Sequence, residues 1–384
     1  MKFKSNLLIV SLAIFSISCS EEKAAEQPST PLSSQDLEFE IYDSLVVAHL
    51  GNLTLMDISP DGSTFLLQDQ GSNDIIVTNA QGGILYQYNN SEDGPNSYKN
   101  KSGKALFINN EEYLIPTMMN LVQYNLSGEL LKTFKPEFSG SANLIVSSSN
   151  SVAKQGENYF FKIQGRYPNQ NDLVNSRNLE KVNMNTGEYQ PIIPTPKSSK
   201  FANPEVTFAG FDYYPVFDVD QDSLYFIFRN EPNLYVYSLS NLDSSAYTKK
   251  IPFEEFIERN SSKGLENGGF NIRDLLLGSI NGLKKIEKGE YLIFYTSGLT
   301  DEEANEAMSD VTDDFNQIFE NADKVNTTGY VIFDGQMVSS LIKKNELLSN
   351  MAKFVSKDEI WFNLNFSEVE NDYSVIYKTR IVQK

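Results

Sequence analysis

The chain of 384 residues contains only one cysteine, one histidine and one tryptophan. A metal site built from several histidines is therefore excluded, and a Ser-His-Asp triad would have to use His49. No Gly-x-Ser-x-Gly segment is present to expose a serine nucleophile. The glycine-rich segment Gly264-Leu-Glu-Asn-Gly-Gly269 lacks the lysine and the strand-to-helix context of a phosphate-binding loop. Carboxylates remain as acid–base groups, but their abundance identifies no catalytic pair.

Positive charge is also scarce. The chain has 32 lysines and arginines against 51 acidic residues, a net charge of −19, and only six of the cations are arginines. Such a balance argues against nucleic acid as a partner, because phosphates require a basic surface. It also disfavours adsorption to anionic lipid headgroups. The simplest interpretation of the acidity is solubility.

The N-terminus predicts export. Lys2 and Lys4 precede an apolar run over residues 7–15, which is followed by small residues, as in a secretion signal over residues 1–18. The run is too short to span a bilayer permanently. Cys19 has no partner for an internal disulfide.

The segment around Cys19 resembles a bacterial lipobox, in which the cysteine is diacylated and becomes the mature N-terminus. Ser16 stands where leucine is usual in that motif, and the alternative is an ordinary signal peptide with an unmodified cysteine. Ser20-Glu-Glu-Lys23 resembles the acidic export tag of surface lipoproteins from Bacteroidota. It is equally compatible with a solvated start to a tether. We predict a lipidated cysteine and flexible tether over 19–36, ahead of a single domain over 37–384.

A polar turn followed by an aromatic residue recurs six times. The aromatic residues are Phe65, Tyr113, Tyr159, Tyr225, Tyr291 and Trp361, at intervals of 46 to 70 residues. Turns of this composition leading into aromatic and β-branched runs are typical of β-hairpins. Units too short to bury their own faces indicate a repeat architecture.

The spacing of strands and turns predicts an all-β, six-bladed β-propeller. The sixth unit is incomplete, and an unpaired strand over Leu37–Val47 stands before the first. We expect that strand to complete the sixth blade and close the ring, which would remove exposed sheet edges. The 297–328 segment predicts one helix in blade five, with Thr300 as N-cap and Glu303 in a capping box. Its apolar stripe, which includes Phe315 and Ile318, is expected to dock on the propeller.

Loop lengths predict where binding occurs. The long connections are 89–103, 165–178, 194–212, 252–278 and 297–328. By strand counting, each joins strand two to strand three or one blade to the next, and both kinds emerge on one face of a propeller. Elaborated loops on a rigid scaffold usually carry binding.

Polar residues that the repeats place on that face are the candidate ligand-binding residues. Those at the ends of second strands are Asp69, Gln164, Arg166, Arg229 and Asn230, and those at the starts of first strands are Lys104, Asn143, Tyr213, Tyr214 and Lys353. Arginine can clamp a carboxylate or stack on a ring. The alternative role for the whole set is structural pairing between blades.

No cofactor is indicated, although Asp218-Val-Asp-Gln-Asp222 has the form that begins calcium loops. A calcium loop usually has glycine at its sixth position and a carboxylate at its twelfth, where this chain has Ser223 and Arg229. Because the segment also falls in a predicted hairpin turn, aspartate is expected there for its turn preference.

The turn Ser59-Pro-Asp-Gly62 is typical of TolB-like propeller repeats. With the signal ending at Cys19, the acidic segment, the six turn-plus-aromatic repeats and the N-terminal closing strand, the chain resembles Bacteroidota lipoproteins of unknown function with a TolB-like six-bladed propeller. The resemblance implies localisation at the outer membrane, on the periplasmic or the cell-surface side, and it implies no catalytic residues. We expect a non-catalytic binding module for a glycan, peptide or protein. The alternatives are a hydrolase or lyase with a metal or carboxylates in its channel, and a structural subunit of an outer-membrane complex.

Overall fold

The computed structural model describes residues 32, 35–99, 101, 103–117, 120–138, 152–162, 166, 175–259, 272–287, 289–309, 314–368 and 372–384. These residues form six antiparallel sheets of three or four strands, the blades of a β-propeller. The predicted signal peptide, Cys19 and most of the predicted tether lie outside the described residues, as do Asn143 and Gln164. The predicted fold class is confirmed.

The strands follow chain order within each blade. Blades one to three contain β2–β5 (Leu53–Ile58, Thr64–Asp69, Ile75–Asn79, Ile84–Tyr88), β6–β9 (Leu106–Phe107, Glu112–Pro116, Leu121–Asn125, Leu130–Phe134) and β10–β13 (Val152–Gln155, Asn158–Phe161, Arg177–Asn183, Tyr189–Pro194). Blades four to six contain β14–β17 (Pro215–Val219, Ser223–Phe228, Glu231–Ser238, Tyr247–Lys250), β18–β20 (Ser279–Lys285, Tyr291–Thr296, Thr328–Phe333) and β21–β23 (Leu348–Ser356, Glu359–Leu364, Ser374–Gln383) with β1 (Leu37–Val47).

Short polar turns form the hairpins because their side chains satisfy the turn backbone. In blade one, Asp61 Oδ1 accepts the Ser59 hydroxyl at 2.7 Å and the Ser63 N–H at 3.0 Å. Gly62 follows with a φ of 73°, a conformation that glycine adopts without steric cost. The Ser59-Pro-Asp-Gly62 segment therefore forms a turn, as predicted.

The recurring aromatic residues fill the space between blades. All six are at most 5% exposed. Phe65 and Trp361 join blades one and six with ring centroids 5.1 Å apart, and Tyr225 and Tyr291 join blades four and five at 5.2 Å. Edge-to-face pairs of this kind add about 0.5–1.5 kcal/mol each to the burial of the rings.

The predicted ring closure is confirmed. Strand β1 pairs antiparallel with β23, from Leu37 opposite Gln383 to Val47 opposite Ser374. Phe39 packs against Tyr330 and Phe362, so the closing strand also contacts blade five.

The insertion in blade five differs from its prediction. It forms two helices, α1 (Asp301–Met308) and α2 (Phe315–Val325), rather than one. The capping box of Thr300 and Glu303 is present as predicted. Asp314 accepts hydrogen bonds from the N–H groups of Asn316 and Gln317 and so caps the start of a new helix. Aspartate favours such a cap because, within a helix, its short side chain competes with the backbone for hydrogen bonds.

The docking surface of this insertion is also narrower than predicted. Phe315 is 58% exposed, so it does not join the docked stripe. Ala304, Ala307, Ile318 and Ala322 are buried against Leu276 and Leu299, and the predicted Met308 and Phe319 pack at the edge of this cluster.

The strand order gives the propeller two different faces. The 2–3 and 4–1 connections emerge on one side, which we call the loop face, and the 1–2 and 3–4 turns on the other, which we call the turn face. The described ends of all five long connections lie on the loop face, as predicted. The inner strands run from the loop face to the turn face.

Candidate functional site

A cavity of about 420 Å³ lies where the innermost strands of all six blades converge, on the propeller axis. Its volume falls within the range of about 300–1,000 Å³ typical of small-ligand sites. Its lining comes mainly from the C-terminal parts of the inner strands and includes Pro60 of a 1–2 turn. Among the described residues of the long connections, only Lys104, two residues before β6, contributes to the lining. The cavity therefore lies in the half of the channel nearest the turn face.

The register of the first hairpin in each blade builds one ring of this cavity. Each recurring aromatic pairs with an inner-strand residue that lines the cavity. These six residues, the turn-side ring, are Ile58, Phe107, Lys154, Asp218, Lys285 and Lys353. The same repeat that packs the blades together thus sets which side chains face the axis.

Lysines dominate the cavity. Lys104 and Lys284 lie above the ring, toward the loop face, so five lysines share the lining with the two aspartates Asp57 and Asp218. The cavity carries a net charge of about +3 at neutral pH within a chain of net charge −19.

Three of these lysines have main-chain partners in place of carboxylates. Lys104 Nζ donates to the carbonyl oxygens of Met351 at 3.4 Å and Ala352 at 3.1 Å, across the channel in blade six. Lys154 Nζ donates to the Ile108 carbonyl, and Lys285 Nζ to the Glu290 carbonyl at 3.4 Å. None of the three forms an ion pair within the described part of the chain. Their charges are available to an anion.

The two aspartates hold neighbouring blades together. Asp57 accepts the Phe107 N–H at 2.8 Å through Oδ2, and its Oδ1 lies 2.5 Å from Lys353 Nζ. Asp218 accepts the Lys285 N–H at 2.9 Å, with Lys284 Nζ 3.3 Å from its other oxygen. Both carboxylates are therefore already paired with a cation and with the main chain of the next blade.

The environment of Lys104 destabilises its charge. Burial, together with the positive charge of Lys284, lowers the pKa of Lys104 to about 8, and Asp57 opposes the shift. An anion bound beside Lys104 would stabilise its protonated form and raise its pKa again.

The donor set of the cavity fits an anion and does not fit a divalent cation. Calcium and zinc need several oxygen or nitrogen donors free to converge. Asp57 and Asp218 are both occupied and are surrounded by ammonium groups that repel a cation. No group of three or more potential metal ligands occurs among the residues that the structure describes. The Asp218–Asp222 segment serves the hairpin, since Asp220 accepts the N–H groups of Asp222 and Ser223.

Two of the candidates from the sequence, Lys104 and Lys353, line the cavity. Sequence reasoning missed Lys154, Lys284, Lys285 and the two aspartates. The signal that finds them is the pairing of each recurring aromatic across its turn. Ligand binding by any of these residues remains a prediction.

Arg166 and Asp69 have structural partners. Arg166 forms a bidentate pair with Glu180, Nε to Oε1 at 2.6 Å and Nη2 to Oε2 at 2.9 Å, and its guanidinium lies 4.4 Å from the Phe138 ring centroid. Asp69 lies 2.8 Å from His49 Nε2, the single histidine. Burial opposes the ionised form of Asp69, but hydrogen bonds from His49 and the Gly71 N–H hold its pKa below the usual value.

The remaining candidates organise the loop face. Asn230 donates to the Gly278 carbonyl at 2.6 Å and accepts the Arg259 N–H at 2.7 Å, so it holds the 252–278 connection in place. Burial lowers the pKa of Arg229, and Asp212 opposes the shift. The ring of Tyr213 packs on Phe201, and Tyr214 is buried.

A buried ionic cluster supports the same connection. Arg259 bridges Asp212, with Nε 2.5 Å from Oδ2, and Asp274, with Nη2 2.7 Å from Oδ1. All three side chains are at most 6% exposed. The cluster fixes two long loops against blade four and leaves little room for a ligand.

Fold and site together define a six-bladed β-propeller with a cationic axial cavity. No protein-family model matches the chain, and no curated protein matches its sequence. The fold is similar to the crystal structure of a member of the DUF4221 family from Bacteroides vulgatus, with a TM-score of 0.58 and 13% identity over 91% of this chain and 99% of that one. It is also similar to a putative exported protein from Bacteroides fragilis, with a TM-score of 0.53 and 14% identity over 92% and 98% of the two chains.

Within the described residues, no helix has the length and apolar character needed to cross a membrane.

Proposed function

We propose that this chain is an exported, non-catalytic binding protein that holds a small anionic ligand in its axial cavity. The observation that carries this proposal is the set of three cavity-lining lysines, Lys104, Lys154 and Lys285, which form no ion pair with a described carboxylate. A chain of net charge −19 has no general excess of lysine, so their convergence is local. Partly desolvated ammonium groups interact with an anion more strongly than surface lysines do.

The proposed address is the outer membrane, on the periplasmic or the cell-surface side, with Cys19 as the lipid anchor. The support is the signal-like N-terminus and the architecture shared with a Bacteroides protein described as putatively exported. The anionic ligand could be free or could form the acidic group of a glycan or peptide, the partner classes that the sequence suggests.

The test is calorimetric titration with succinate, citrate, inorganic phosphate and glucuronate, using wild type, Lys104→Met and Lys132→Met. Lys132 is the matched control, because its ammonium also contacts main-chain carbonyls, those of Met184 and Asn185, but on an outer strand. We expect at least one anion to bind wild type and Lys132→Met equally, and Lys104→Met at least tenfold more weakly. Melting temperatures establish that both variants fold.

A second readout follows from the pKa of Lys104. At pH 8, near that pKa of about 8, binding should take up protons. The observed heat should therefore change between buffers of different ionisation enthalpy, and this change should disappear in Lys104→Met. Failure of all four anions to bind, or unchanged binding by a folded Lys104→Met, would refute the proposal.

A further inference from the structure

The cations of the axial cavity lie at two levels along the axis. The lower level is the turn-side ring, with Lys154, Lys285 and Lys353 each paired opposite a recurring aromatic. The upper level contains Lys284, one residue before Lys285 in the same strand, and Lys104, three residues before the ring residue Phe107.

Each level retains a cation that forms no ion pair with a described carboxylate. At the lower level these are Lys154 and Lys285, and at the upper level Lys104. The Lys104 ammonium donates hydrogen bonds to the carbonyls of Met351 and Ala352, which lie two residues and one residue before Lys353 in β21. At about 3.3 Å per strand residue, the two levels are separated by roughly 3–7 Å along the axis.

We propose that the cavity takes a multivalent oxyanion end on, with one acid group at Lys104 and a second at Lys154 and Lys285. This inference rests on the proposed function and specifies its ligand. A single acid group would satisfy one level and leave a partly buried ammonium at the other unneutralised, whereas two linked acid groups neutralise both. The matching chemical class is a small polycarboxylate or a phosphate ester that also carries a second acidic group.

The same geometry assigns the route of entry. Pro60 lines the cavity on the turn side, and of the described residues in the long connections only Lys104 reaches it. The ring lysines are therefore the first cations that a ligand entering from the turn face meets, and Lys104 is the last.

The test compares ligands of matched length. Butyrate, the monoamide of succinate, succinate, glutarate and adipate form a carboxylate series, and glycerol 3-phosphate and 3-phosphoglycerate form a phosphate series. We expect the best dianion to bind at least tenfold more tightly than its monovalent analogue. Lys104→Met and Lys285→Met should each reduce that dianion to the affinity of the monoanion, while Lys132→Met leaves it unchanged. The series that binds more tightly identifies the source of the acid groups.

Three results would overturn the inference, and they differ in what they imply for the proposed function. If monoanions bind as tightly as dianions and Lys104→Met still weakens them, the cavity is an anion site without the end-on, two-level arrangement. If neither series binds and all variants melt as wild type does, the proposed function fails as well. A dianion that is weakened by Lys285→Met but not by Lys104→Met would place both acid groups at the ring and refute the upper level.

Discussion

At the scale of single residues, Arg166 shows how burial changes an interpretation. The sequence places it at the rim of the loop face, where a ligand could meet it. In the structure its side chain is 16% exposed and that of its partner Glu180 only 4%. Burial raises the pKa of Glu180, and the hydrogen bonds and charge of Arg166 oppose that rise. Removing the arginine would leave a buried, unneutralised carboxylate.

We therefore expect Arg166→Ala to reduce the free energy of unfolding by about 3 kcal/mol, as for other broken buried ion pairs. Arg177→Ala is the control, since Arg177 and Asp243 form an exposed pair at 3.4 Å and such changes usually stay within about 0.5 kcal/mol. Denaturant melts at neutral pH measure both values. Adding Glu180→Gln to Arg166→Ala should recover part of the loss, and equal losses for the two single variants would contradict the prediction.

The residues of the cavity were only partly accessible from the sequence. Lys104 and Lys353 stand out as polar residues next to or within inner strands, whereas Lys154 and Lys285 lie in or beside polar turns and look solvated. The ring residue precedes its aromatic by between five and eight residues, because the turns and bulges differ from blade to blade. A one-residue change in register moves a side chain to the other side of the strand, so turn geometry decides which inner-strand residue pairs with the recurring aromatic.

At the scale of secondary-structure elements, strand β1 has a role that the sequence predicts well. Its sequence alternates between apolar and polar residues but has no hairpin partner, and the sixth repeat lacks an outer strand. The observed pairing of β1 with β23 accounts for both features. The helical insertion was harder to predict. Its apolar spacing continues through the break between α1 and α2, and only the capping by Asp314 distinguishes two helices from one.

Deleting β1 should unfold the propeller, whereas deleting residues 20–34 should not. Leu37, Phe39, Leu45 and Val47 are at most 8% exposed, and each buried side chain contributes about 1.5–3 kcal/mol. Their combined contribution of about 6–12 kcal/mol is comparable to the whole stability of a typical domain.

Circular dichroism melts and size-exclusion profiles of the two truncations, both made without the signal peptide, provide the measurement. The truncation of 20–34 is the control, because it removes a similar length of N-terminal chain. Equal melting temperatures would refute the closing role of β1.

At the scale of the whole molecule, the sequence predicts the elaborated face but not the cavity. Loop lengths can be read directly, and the described ends of all five long connections do lie on one face. Free volume on the axis depends on how inner-strand side chains of six blades meet, which no single repeat reveals. Two of the loops that were expected to bind, 194–212 and 252–278, are instead held in place by Asn230 and by the cluster of Arg259 with Asp212 and Asp274.

The proposed address gives a prediction for the complete chain. Cys19→Ala should prevent acylation and move the protein from the membrane fraction to the soluble fraction of cells, because no other anchor is proposed. Fractionation followed by a high-salt wash measures the distribution. Cys19→Ser is the conservative companion and should behave in the same way. Retention of either variant in the outer membrane through the wash would contradict lipid anchoring.

The seam between β1 and β23 also sets an order in time. Glu40 and Arg380, which pair across it, are 340 residues apart. At synthesis rates of about 5–20 residues per second, roughly 20–70 s pass between the appearance of β1 and that of its partner. Strand β1 is thus the first strand to be synthesised and the last to pair with its partner. Its apolar side chains must stay unpacked while five blades fold. Export of the chain in an unfolded state until synthesis is complete would be compatible with this order of folding. Pairing of β1 with β23 should then be the slow, final step of folding.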